Sequence, residues 1–160
     1  MHSRDMLLNS LDMADLVIDS YTKDMSNSDI LLRPIDGMNP IAWQLGHLIG
    51  SERHFIELVA PGTSPSLPDG FDKGHGKDVP TDNALFYPLA KYQELWKAQR
   101  AATRAVIAKQ SDADLDRTDP KFPPFAPSVG ALLNLCASHP LMHAGQFVAV
   151  RRKVGKPVVI

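Results

Sequence analysis

The chain has one cysteine in its 160 residues, so no disulfide can form within it, and a reducing compartment suits it. It also lacks an excess of either charge sign. Lys and Arg together number 17 against 18 Asp and Glu, a net charge of -1, which gives no basic field to draw the protein onto nucleic acid. No apolar run approaches the ~20 residues that span a bilayer, and the polar opening MHSRDMLLNS is not a secretory leader. These absences imply a soluble, cytoplasmic protein that engages neither nucleic acid nor membrane. Internal repeats are missing too, as is any convincing strand alternation, although Val158-Val159-Ile160 can extend along a neighbour. The single Cys136 sits among apolar residues and reads as a buried, inert thiol rather than a nucleophile.

What is present is apolar patterning of helical period in a chain that is 44% hydrophobic, enough for the core of one domain over residues 1–160. A first helix is expected over residues 5–23, with Leu7, Leu8, Leu11, Leu16, Val17 and Tyr21 as its stripe. The Arg33-Pro34-Ile35-Asp36-Gly37 segment breaks the pattern. Asn39 as cap and Pro40 as first helical residue restart it for a second helix over residues 40–59. Residues 60–80 carry four prolines and four glycines and read as a long loop. Asp82 or Thr81 then caps a third helix to about residue 110, burying Leu85, Leu89, Tyr92, Leu95, Trp96, Val106 and Ile107, with Pro88 bending it or marking its start. A second proline-rich connection covers residues 111–127. Ser128 caps a fourth helix over residues 129–153, which Gly155 and Pro157 end and whose negative terminus Arg151, Arg152 and Lys153 face. Four amphipathic helices without strands give an all-α, four-helix bundle with long connections.

His139 and His143 lie four apart in SHPLMHAGQ on the last helix. At about 100° per residue both imidazoles face one side, one turn apart, the spacing by which a helix offers two nitrogens to one metal ion. His47, in PIAWQLGHLIG of the second helix, meets them if those two helices are neighbours, and three imidazoles with an open position make a catalytic type of site. The competing explanation for each histidine is an ordinary hydrogen-bonded residue of the core or rim. Pro140 falls between the pair and either bends the helix around the bundle or aims His139. His54, seven residues after His47, is about 10 Å away along the helix and suits a loop or surface position. His75, in a GHG stretch of the long loop, is expected in solvent. Gln44 and Gln146 are candidates to orient ligands or to make plain interhelical contacts. Trp43, Leu48 and Phe147 suit either a pocket wall or the core.

Asn39 to Leu48 (N-P-I-A-W-Q-L-G-H-L), His139 to Gln146 (H-P-L-M-H-A-G-Q) and the following R-R-K-V-G-K-P together resemble the DinB-like family of damage-inducible four-helix bundles, unrelated to the DNA polymerase of similar name. The resemblance implies that His47, His139 and His143 bind a divalent metal, zinc or nickel. Relatives often have an acidic residue after the first histidine of the last helix, and another histidine just before the second. Pro140 and Met142 depart from that, which keeps the ligands and removes a possible acid or base. Some relatives are thiol S-transferases using a low-molecular-weight thiol such as bacillithiol or mycothiol, one branch isomerises maleylpyruvate, and others are known only as metal-binding folds.

The first functional expectation is therefore a metal-dependent enzyme acting on a small-molecule substrate, by thiol transfer to an electrophile in detoxification or stress response. A metal-dependent hydrolase is the alternative enzyme. It needs a general base, and Glu52, about 140° around the helix from His47, is poorly placed. The non-enzymatic alternative is a metal-binding or dimerising bundle, and a homodimer is expected in either case.

Overall fold

In this computed structural model residues 2–78 and 82–159 are described, and among them the regular structure is entirely helical. Helix α1 (Ser3–Thr22), α2 (Ile41–Val59), α4 (Leu89–Ala108) and α6 (Val129–Lys153) are the long elements, joined through the five-residue helices α3 (Phe71–His75) and α5 (Asp112–Asp116). Around the bundle α1 packs on α6, α6 on α2, α2 on α4, and α4 closes the ring on α1. The neighbouring of α2 and α6 is what the histidine pattern requires.

Helix ends follow local chemistry. The Ser128 hydroxyl accepts from the Ala131 N–H to start α6, and Gly155, at φ +72°, carries the chain out of it where a side chain would be strained. Pro88 is the true boundary of α4: it stands in extended conformation at the N-cap, while the Asn27 side chain accepts from the Leu89 N–H. Asp82 caps only a single 3₁₀ turn, Asn83–Leu85, and the alternative cap Thr81 lies outside the described residues. Asn39 is not the cap of α2. Pro40, extended, takes that place because its carbonyl accepts the first helical N–H, from Gln44, while the Gln44 side-chain amide donates to the Asn39 carbonyl.

The two long connections hold helices that the sequence did not suggest. Within residues 60–78, Phe71–His75 winds into α3 against α2, and within 111–127 the Ser111–Asp114 capping box starts α5 on α6. Two apolar residues of the expected stripes face outward, Leu16 at 55% exposure and Leu85 at 43%. Leu85 does so because it belongs to the 3₁₀ turn ahead of α4, out of phase with that helix. Val158 and Val159 pair in no strand. No described helix is long and apolar enough to cross a membrane.

The interior has two apolar clusters. One gathers Ile18, Tyr21, Ile41, Leu45, Leu48, Tyr92, Trp96 and Phe147, and the other gathers Leu11, Ile56, Ile107, Val129, Leu132 and Leu133. Between their positions along the helices lies a buried polar layer of Glu52, Gln99, Arg100 and Thr103. A further buried cation, Arg151, is more than a charge at a helix end. It donates to Asp24 Oδ1 at 2.6 Å, to the Tyr21 carbonyl at 2.8 Å and to the Pro157 carbonyl at 2.7 Å, tying the end of α6 to the end of α1.

Candidate metal centre

One residue set among those described has metal-ligand chemistry and proximity together: His47 from α2 with His139 and His143 from α6, each offering a nitrogen within 4.8 Å of the others. The helical repeat explains the second pair. His139 Nε2 and His143 Nε2 are 3.1 Å apart, close to the roughly 3.3 Å that separates two imidazole nitrogens on one tetrahedral zinc. The His47 ring centroid is 5.2 Å from that of His139 and 5.3 Å from that of His143. All three rings are half-buried.

Their surroundings favour neutral imidazoles. Burial, with the neighbouring His47, pushes His139 down to about 4, and burial with His139 and His47 does the same to His143. Burial lowers His47 as well. Neutral nitrogen is the form that ligates a metal. The tautomer of His143 is set from outside. Because the Gln44 amide nitrogen donates to the Asn39 carbonyl, its oxygen faces His143 and accepts from Nδ1–H at 2.9 Å, leaving Nε2 with a free lone pair toward His139. Gln44 is thus an orienting residue. Gln146 is exposed on α6 and takes no such part.

His47 is held by stacking. The Trp43 indole lies 4.7 Å from its ring at an interplanar angle of 8°, and the indole N–H donates to the Gly76 carbonyl at 3.2 Å. Trp43 therefore connects His47 to the segment after α3. Leu48 and Phe147 are fully buried core residues.

His75 departs from the expectation of solvent. It is 5% exposed, its Nδ1–H donates to the Phe71 carbonyl at 2.8 Å, and its Nε2 accepts from the Tyr92 hydroxyl at 2.7 Å. Phe71, Phe86 and Tyr87 surround the ring. It reaches this place because residue 46 is glycine: a Cβ there would fall within the imidazole. The signal was present in the sequence as Gly46 beside His47, but its meaning depends on where α3 docks. His54 is exposed, apart from the three.

Cys136 is buried, its thiol pushed well up by burial and by Glu52, and its Sγ–H contacts the Leu132 carbonyl at 3.5 Å. Both effects disfavour the thiolate. Glu52 faces inward, with Oε2 3.1 Å from Arg100 Nη1 and Oε1 accepting from the Thr103 hydroxyl at 2.5 Å. Burial pushes its carboxyl up to about 7 against the pull of Arg100 and Thr103. Glu52 and His139 border the same crevice, together with Leu48, Phe55, Leu135, Cys136 and Pro140, and that crevice is too narrow for water.

No curated protein matches the chain significantly. Among solved structures it resembles a crystal structure described as that of the conserved protein of locus from Enterococcus faecalis. The TM-score is 0.71 at 16% identity, over 98% of this chain and 99% of that one, which is a likeness of fold. A family model described as the DinB superfamily matches residues 11–147, and the chain belongs to that superfamily, whose members generally bind metal.

Proposed function

We propose that this protein is a divalent-metal-dependent enzyme that joins a low-molecular-weight thiol to a small electrophile, with His47, His139 and His143 as the metal ligands. The observation that carries the reading is the set of three neutral imidazole nitrogens within 4.8 Å, one of them fixed in tautomer by Gln44. Zinc or nickel, when bound there, supplies the Lewis acidity that lowers the pKa of a coordinating thiol. The chain's own residues set the conditions for that chemistry. Gln44 holds the His143 lone pair toward the shared centre, and Trp43 keeps the His47 ring flat against its own face. All three imidazoles are uncharged, so they would leave the charge of a bound cation undiminished for an anionic sulfur.

Thiol transfer is favoured over hydrolysis because the acid-base group that hydrolysis needs is not on offer beside the histidines. Glu52 has one oxygen bonded by Thr103 and the other buried beside Arg100, behind a crevice that excludes water. A thiol brings its own nucleophile, so the inert Cys136 is no obstacle.

The test begins with metal content in protein purified without an affinity tag or added metal, comparing the native chain with H47A/H143A. About one zinc or nickel per chain, lost in the double variant, is expected for a three-histidine site. The loaded protein is then assayed with bacillithiol, mycothiol or glutathione and an electrophile such as a haloalkane or chloro-dinitrobenzene. Metal without thiol consumption leaves a metal-binding bundle and ends the transferase reading. No metal after reconstitution ends both.

A further inference from the structure

Pro140 removes one hydrogen bond from α6. A residue at that place in a helix donates its N–H to the carbonyl four residues back, here Cys136, and a proline ring both lacks that N–H and crowds that carbonyl. The Cys136 carbonyl is buried, so it needs another donor. It has one: Arg100 Nη1, from α4, at 2.6 Å. Cys136 is three residues before His139, so the donor from α4 acts on the turn that carries a candidate ligand.

Arg100 is itself held on several sides. Its Nε lies 2.8 Å from Asp15 Oδ1, its Nη1 lies 3.1 Å from Glu52 Oε2, and its guanidinium sits 4.1 Å over the Trp96 ring. Glu52 is in turn fixed by Thr103, and Asp15 accepts from the Trp96 indole at 3.1 Å and from Arg104 at 2.6 Å. A fully buried arginine is rare unless it is paired, because its desolvation must be offset by charge and hydrogen bonds. Here the pairing comes from α1 and α2, while the donor is spent on α6. The layer thus ties all four long helices together one turn ahead of His139.

We propose that Arg100 is a positioning residue for the three-histidine centre: by donating to the Cys136 carbonyl that Pro140 leaves without a helical partner, it fixes the α6 backbone over the turn that carries His139. The proposal rests on the metal-ligand reading above. The tie from Arg100 to α6 runs through that carbonyl, while its pairing with Glu52 is a separate tie to α2 that the E52Q background removes. The bond to the carbonyl also gives Pro140 a defined consequence, since with an N–H at residue 140 the carbonyl would be satisfied from within α6 and Arg100 would no longer matter to it.

The dependence of Arg100 on Pro140 is the test. Cobalt(II) is the probe, because its d–d absorption reports ligand geometry and its affinity can be titrated against a chelator. R100M alone leaves Glu52 buried beside no cation and can fail to fold, so the comparison is E52Q against E52Q/R100M, each with Pro140 and with P140A, all checked for helicity. With Pro140 in place, losing Arg100 is expected to weaken cobalt binding about tenfold, as for other groups that orient ligands, and to shift the d–d band. In the P140A background the same change is expected to alter affinity by less than about twofold. Equal losses in both backgrounds would mean that Arg100 only supports the bundle, and no loss with Pro140 would remove the role outright. A native chain that binds no cobalt would overturn the metal reading itself, whereas native binding with an indifferent E52Q/R100M overturns the positioning role alone.

Discussion

Single side chains decide whether three histidines form a centre or merely share a region. Gln44 has two bonds in sequence, its amide to Asn39 and its oxygen to His143 Nδ1, so Q44L removes the fixed tautomer without touching any of the three histidines. Zinc affinity, measured by chelator competition, should fall about 10- to 100-fold while the fold persists. Gly46 is the second case. A methyl group there meets the His75 imidazole, so G46A is expected to lose about 1–3 kcal/mol in urea unfolding and to speed amide exchange at residues 71–76, where the displaced ring was docked. These two positions mark the limit of the sequence. That His47, His139 and His143 come together was legible because helical spacing is a local property and the neighbouring of two helices was the one assumption needed. His75 was not, since a histidine between glycines carries no period. Its burial depends on a missing Cβ 29 positions earlier and on a hydroxyl, Tyr92, 17 positions later. Gln44 was only half legible, as its place one turn before His47 showed but its partner 99 positions away did not.

At the level of elements, the ends of the last helix were more legible than its cargo. Ser128 and Gly155 placed both limits of α6 because caps act within a few residues. The five-residue helices α3 and α5 stayed hidden, since fewer than two turns give no stripe to read. Arg151 looked like a charge answering the dipole of α6, yet it is wholly buried and donates to Asp24 and two carbonyls. The difference matters for mutation. A dipole charge is worth a few tenths of a kcal/mol, whereas R151M leaves the buried Tyr21 carbonyl without its donor and Asp24 without its cation, and should lower unfolding stability by about 2 kcal/mol. Urea melts of R151M beside R152M separate the two roles, because Arg152 is exposed and should be nearly neutral. Equal effects would mean that the α1 to α6 tie contributes nothing.

Across the whole molecule, the histidine centre and the polar layer pull stability in opposite directions with pH. His139 and His143 are held near 4 in the fold and return to about 6.5 when the chain unfolds, so between those values the unfolded chain binds more protons. Their contribution is complete above about 6.5 and is lost as pH falls toward 4. Glu52 has the reverse sign. Its folded carboxyl is raised to about 7, so the native state holds the extra proton, and that contribution fades as pH rises from about 4.5 to 7. The two windows overlap, and the metal-free protein should show a shallow acid limb as a result. E52Q removes the opposing contribution and should steepen the loss of stability on acidification, while H139A/H143A should flatten it. Zinc adds a further contrast. At a free concentration 100 times the dissociation constant, a ligand that binds only the folded chain adds about 2.7 kcal/mol, and that increment should vanish over the window in which the imidazoles protonate. Thermal melts from pH 3 to 8, with zinc and with a chelator, measure all of this. A zinc increment undiminished at pH 3, below the pKa of the folded imidazoles, would require ligands other than imidazole, and an unchanged slope in E52Q would mean that the carboxyl stays ionised against Arg100 throughout.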